Sequence, residues 1–125
     1  MKSFCTAINC MDGRIQLLVI PFLQTRFKAE FVDCITEPGP VRVFDQTTDP
    51  AMLKSILTRI DISVNHHGSS QIAVCAHPDC SGNPVEDEVQ KAQLKKATAF
   101  LKETYPAVTV AGFWIESNQQ PQEYC

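Results

Sequence analysis

Gln71-Ile72-Ala73-Val74-Cys75-Ala76 is apolar from its second residue onward and gives way to His77-Pro78. An unbroken apolar run of this length fits a strand covered on both faces, as in a parallel sheet flanked by helices. His77-Pro78-Asp79-Cys80-Ser81-Gly82 then reads as a loop. Asn83-Pro84-Val85-Glu86 follows with an N-cap residue, proline at the first helical position and Glu three after the cap. That pattern predicts a helix from there to about Thr104. Val108 to Ile115 predicts the next strand.

The same alternation extends toward the N-terminus. Asp49-Pro50 marks a helix start, and Met52, Ile56, Ile60 and Val64 recur every four residues. This predicts an amphipathic helix to about Asn65, with Gly68 as its stop. Phe4 to Ile8 and Phe31 to Thr36 read as strands, the second ended by Glu37-Pro38-Gly39-Pro40. Between them, Ile15 to Lys28 is apolar at helical spacing, with Pro21 at the first turn or at a kink. Residues 41 to 48 are open: Val41-Arg42-Val43-Phe44 alternates like a strand but also suits a loop. The alternation predicts an α/β fold, a small open parallel sheet of order 2-1-3-4 with helices on both faces. In such sheets ligands bind beyond the carboxyl ends of the strands where the order reverses, here between strands 1 and 3.

The composition fits this and excludes other classes. The chain has 125 residues, 44% of them hydrophobic and 20% charged, which suits one domain over 1–125 with its own core. Its net charge of −3 offers no basic excess for nucleic acid or an anionic membrane. The longest uncharged apolar stretch, Ile15 to Thr25, is shorter than the roughly 18–20 residues a membrane span needs. Met1-Lys2-Ser3-Phe4-Cys5 has no leader-like apolar run, so a cytoplasmic protein is expected. In a reducing compartment its six cysteines point to thiols, metal ligands or catalysis rather than disulfides.

The predicted switch point carries the chemistry. Cys10 stands just past strand 1, His77 just past strand 3, and Cys80 three residues later. Two thiolates and an imidazole are a ligand set for zinc, and three protein ligands leave the fourth position open. Asp12 is near enough to reach that position as a fourth ligand, and Arg14 is near enough to hold Asp12 back in a charge-assisted pair. With the position open, the metal brings the pKa of water down toward roughly 7.

Cys10-Met11-Asp12-Gly13-Arg14 together with His77-Pro78-Asp79-Cys80 resembles the two-part signature of the β-class carbonic anhydrases, Cys-x-Asp-x-Arg after the first strand and His-x-x-Cys after the third. The resemblance spans roughly residues 3 to 116 of the chain. It implies that Cys10, His77 and Cys80 ligate Zn2+. It also implies that Asp12 and Arg14 form a dyad orienting zinc-bound hydroxide for attack on carbon dioxide. The implied function is a zinc-dependent lyase interconverting carbon dioxide and bicarbonate, with carbonyl sulfide and carbon disulfide as chemically related targets. Homodimerisation, or a higher homo-oligomer, is implied as well, with Trp114 as the guessed contact. Gly82 resembles the family's glycine after the second cysteine, displaced by Ser81. The chain departs from the pattern in its shorter length, in lacking an N-terminal helical arm, and in Glu37-Pro38-Gly39-Pro40, where the family is rich in Gly and Asn.

A second function class competes: a non-catalytic zinc-stabilised module, with Asp12 as a permanent ligand, that binds a small anion or a protein partner. Cys5, Cys34 and Cys75 read as small buried hydrophobes, and Cys125 as a free thiol. His66-His67 reads as a solvated helix end, and Glu37 as a candidate proton relay at the site's rim. No Cys-x-x-Cys pair and no glycine fingerprint after strand 1 is present, which disfavours thioredoxin-like and dinucleotide chemistry.

Overall fold

The computed structural model describes residues 3–45 and 49–125. Its elements in chain order are β1 (Phe4–Cys10), α1 (Gly13–Phe27), β2 (Phe31–Glu37), α2 (Pro50–Asp61), β3 (Gln71–Ala76), α3 (Asp87–Thr104), β4 (Thr109–Trp114) and β5 (Gln122–Glu123). The sheet order is β2-β1-β3-β4-β5, so the predicted 2-1-3-4 core is present. β1 runs parallel to β2 and β3, and β3 parallel to β4, while β5 lies antiparallel at the edge. The sheet is therefore mixed, not purely parallel as expected. Two residues of strand after the Glu116–Pro121 turn leave too little alternation to read from sequence.

Helices cover both faces. On one face Ile8, Ile72, Val74, Val110 and Trp114 pack under Ile56 and Ile60 of α2 and Leu94, Ala97 and Leu101 of α3. On the other, Cys5, Ala7, Ala73, Cys75, Ala111 and Phe113 pack under Ile15, Val19, Leu23 and Phe27 of α1. Cys5 and Cys75 are thus core residues, as read, whereas Cys34 is exposed.

Three boundaries differ from expectation, each for a local reason. α1 starts at Gly13, because the Asp12 side chain caps it by accepting from the Arg14 backbone N–H. Pro21 lies inside α1 on the exposed face, one turn after the exposed Leu17, so the carbonyl that loses its donor can open to water. α3 starts at Asp87 rather than at Asn83-Pro84. Asn83 closes the preceding loop instead: its N–H donates to the Cys80 carbonyl and its side-chain amide to Gln93. Pro40–Phe44 is a turn of 3-10 helix, not a strand, and buries Val41, Val43 and Phe44. The remaining open residues, 46–48, lie outside the described residues. α2 gives way to a π-helical turn at Ile62–His66, where the buried Ser63 hydroxyl bonds Thr6, Asp33 and Ser69.

Candidate metal centre

β1 and β3 are neighbours and parallel, paired through Ile8 and Val74, so their carboxyl ends emerge side by side. Cys10 is the last residue of β1, and His77 follows the last residue of β3. Asp79 takes the left-handed conformation (φ 56°), rare for a residue with a side chain, within the short loop that leads to Cys80. The result is a convergence of Cys10, His77 and Cys80, all buried, with their ligand atoms within 4.8 Å of one another. Among the described residues no other group of three or more His, Cys, Asp or Glu side chains is arranged in this way.

The donor set fits a zinc-sized ion. Two sulfurs, each about 2.3 Å from a tetrahedral zinc, stand roughly 3.8 Å apart. The Cys10 and Cys80 sulfurs are 3.8 Å apart. The His77 ring is in the matching tautomer. Its Nδ1 is 2.8 Å from the Pro78 carbonyl, which can only accept, so Nδ1 carries the proton. Nε2, the lone-pair nitrogen of that tautomer, is buried and without a hydrogen-bond partner among the described residues. A buried acceptor with no protein partner, beside two thiols, has the chemistry of a metal-ligand position. Burial raises the Cys80 thiol above its ordinary range, and the adjacent Cys10 raises it further.

Asp12 and Arg14 form a tight pair at the rim. Arg14 Nε donates to both Asp12 oxygens at 3.0 and 3.1 Å, and Nη2 to Oδ2 at 2.6 Å. The guanidinium also reaches Asp79, with Nη1 on its carboxylate at 3.2 Å and Nη2 on its carbonyl at 3.0 Å. The hydrogen bonds from the Arg14 side chain and then its backbone hold the Asp12 carboxyl at about 2, well below the usual range. A cleft of about 220 Å³ lies against this group, lined by Cys10, Met11, Asp12, Pro38, Ser81 and Gly82.

Other residues singled out in the sequence are placed differently. Glu37 is ion-paired to Arg59, which removes it from a free proton-relay role. His67 is not simply solvated: its Nδ1 lies 2.6 Å from Asp33. Trp114 is 6% exposed, with Lys91 over its ring and Nε1 donating to Glu116, so it is core rather than a free contact surface. Cys34 stands outside the metal-type cluster. Three residues that sequence reasoning passed over matter here: Asp79, which braces Arg14, and Gln16 and Gln90, which bond the backbone of the ligand segments. Gln90 had a legible signal, since it falls in line with Leu94, Ala97 and Leu101 on the buried stripe of α3.

No helix among the described residues is long and apolar enough to cross a membrane. The fold resembles solved carbonic anhydrases. Against that of Streptococcus mutans the TM-score is 0.63 at 20% identity, covering 94% of this chain and 80% of that one. Against that of Glaciozyma antarctica it is 0.59 at 18%, covering 94% and 80%. Against the β-carbonic anhydrase CafA of Aspergillus fumigatus it is 0.54 at 15%, covering 98% and 75%. At these identities the likeness speaks to fold alone. No curated protein sequence matches the chain significantly. The family model described as putative carbonic anhydrase matches residues 1–125, and with that match over the full length the chain belongs to the putative carbonic anhydrase family.

Proposed function

We propose that this chain is a zinc-dependent lyase that reversibly hydrates carbon dioxide, through Cys10, His77 and Cys80 as ligands and Asp12 and Arg14 as a catalytic pair. The observation that carries the proposal is the convergence of three buried ligand atoms two residues from a carboxylate that an arginine holds by both oxygens. Zinc held by this set would supply a Lewis acid that brings the ionisation of water near neutrality. Asp12 stays ionised at neutral pH and can only accept a hydrogen bond. It would accept one from the attacking hydroxide or water and so orient that oxygen toward the substrate carbon. Arg14 engages both Asp12 oxygens and keeps Asp12 from closing the fourth position. Met11, Pro38 and Gly82 give the adjoining cleft an apolar wall for an uncharged substrate. Carbonyl sulfide and carbon disulfide, linear and apolar like carbon dioxide, are the related substrates to test.

Met11 at 62% exposure leaves apolar surface at the cleft, and Leu17 at 88% leaves more on the exposed side of α1. Homodimerisation over this face is part of the proposal, and sedimentation of a monomer alone at micromolar concentration would remove it. The alternative, a structural zinc with Asp12 as permanent fourth ligand, requires breaking the bidentate Asp12–Arg14 pair.

The deciding experiment is stopped-flow carbon dioxide hydration by zinc-loaded protein from about pH 6.5 to 9. The expected result is a rate that rises with pH and is lost in Cys80→Ser. A background rate with one zinc per chain would leave the metal site and overturn the lyase.

A further inference from the structure

Each of the two chain segments that bring the candidate ligands together is fastened by a glutamine that touches no ligand atom. Gln90 comes from the first turn of α3 and is 2% exposed. Its Nε2 donates to the His77 carbonyl at 2.7 Å, and its Oε1 accepts from the His77 N–H at 3.3 Å. One side chain thus pairs both backbone groups of His77, as a neighbouring strand would, at the point where β3 has ended. Gln16 comes from the first turn of α1. Its Nε2 donates to the carbonyls of Cys10 and Asp12, each at 2.8 Å, and its Oε1 accepts from Asn9 at 3.1 Å. It bridges the turn that carries one thiol and the carboxylate.

We propose that Gln16 and Gln90 are positioning residues that fix the backbone at Cys10–Asp12 and at His77, so that the three ligand atoms converge before a metal arrives. The inference rests on the metal-centre reading above. His77 lies past the last ladder pair of β3, and Cys10 is paired on one side only, with Glu37 of β2, while a side chain pivots about the backbone that bears it. Without Gln90, the His77 peptide groups sit buried next to nothing that can pair them, and the segment must shift to find water. Without Gln16, the Cys10 carbonyl loses this donor, the Asp12 carbonyl keeps the Ile15 N–H at 3.3 Å, and the bridge that sets the spacing between thiol and carboxylate is gone. A preformed ligand set spends less of its binding free energy on ordering.

The test compares Gln90→Met and Gln16→Met with the wild-type chain. Methionine keeps length and volume but offers no amide to the backbone. Zinc and cobalt affinities are measured by competition with a chromophoric chelator, and the visible spectrum of the cobalt-loaded protein is recorded. Ile60→Val, in the core under α2, is the control for lost stability alone. The expected result is metal affinity about 10- to 100-fold weaker in each glutamine variant, the range seen for groups that orient ligands, with an altered cobalt spectrum. Ile60→Val is expected to leave both unchanged. Should Gln90→Met not fold, Gln16→Met carries the test, because Gln16 is only half-buried. Unchanged affinity and spectrum in a less stable protein would overturn the clamp while leaving the metal centre. A wild-type chain that binds neither zinc nor cobalt would overturn the metal centre and the clamp with it.

Discussion

The sulfurs of Cys10 and Cys80 stand 3.8 Å apart although 70 positions separate the residues in the chain. Two thiols at that distance share a hydrogen bond, and burial, then the neighbouring sulfur, keeps the Cys80 proton on. A metal that displaces it must compete with protons, so zinc affinity is expected to rise between about pH 6 and 8, by about tenfold per pH unit for each proton displaced. Zinc at 100 times its Kd should stabilise the fold by about 2.7 kcal/mol, and chelation should remove that gain. Chelator titrations at several pH values, with melting curves alongside, check both. A pH-independent affinity would mean that the thiols are not the ligands.

The Asp12–Arg14 pair leads to a prediction with a definite sign. The folded-state pKa of Asp12 is depressed, to about 2. Stability from this pair is therefore fully present above the ordinary carboxylate range near pH 4 and is lost as pH falls through about 2. Asp12→Asn should be less stable than wild type at pH 6, and the two curves should meet near pH 2. Because Asp12 stays charged throughout the assay range, it contributes no inflection to the rate between about pH 6 and 9. Its replacement by Asn should keep zinc bound and lower the hydration rate by about a hundredfold. Full activity in Asp12→Asn would remove Asp12 from the catalytic pair.

Much of this site was legible because its spacing rides on the sheet. A continuous apolar run ending at His77 and a short strand ending near Cys10 place both segments at the carboxyl edge once β1 and β3 are neighbours. What was not legible depends on backbone partners. Gln16 and Gln90 bond peptide groups, which every residue has: the buried stripe of α3 marks Gln90 as a buried polar residue, but nothing in the sequence names the peptide groups that either one pairs. The sequence places the start of α3 at Asn83-Pro84 because Asn83 and Glu86 satisfy the cap pattern, while tertiary bonding uses Asn83 to close the ligand loop and the helix begins at Asp87. Val41 to Phe44 alternates, yet Pro40 and the left-handed Gly39 turn it into a helical turn that buries three of the four.

The cysteines beneath α1 set an alkaline limit. Burial, then the charges of Cys34 and Cys5, push Cys75 up to about 12. Burial, then Cys34 and Asp33, push Cys5 up to about 11. Both folded pKa values are raised, so the unfolded chain loses these protons first, near pH 9. Their contribution is complete below about pH 9 and falls away as pH climbs toward 11 and 12. Urea midpoints should drop between about pH 8 and 10.5. The drop should be shallower in a Cys5→Ala/Cys75→Ala protein, even though that protein starts less stable. An equal drop in both would place the alkaline limit elsewhere.

Gly82 is required by contact with a rigid neighbour. A Cβ there would fall 2.5 Å from the Pro38 Cβ and 2.6 Å from its carbonyl carbon. Proline has little freedom to yield, and the adjacent Gly39 is itself pressed against Asn83, where a Cβ would meet the Asn83 Cβ at 2.5 Å. The loop after Cys80 and the loop after β2 are thus interlocked, and Gly82→Ala must push them apart. The strain should cost about 1–3 kcal/mol of stability. Because the displaced loop carries Cys80 two residues upstream, the loss should reach the metal as well, with weaker zinc binding and a slower hydration rate. Lys96→Ala on the exposed side of α3 should change neither, with stability within about 0.5 kcal/mol of wild type. Urea unfolding with and without zinc measures the two effects together. If Gly82→Ala is destabilised equally in both conditions, the loops yield without moving Cys80, and the close contact serves the fold alone.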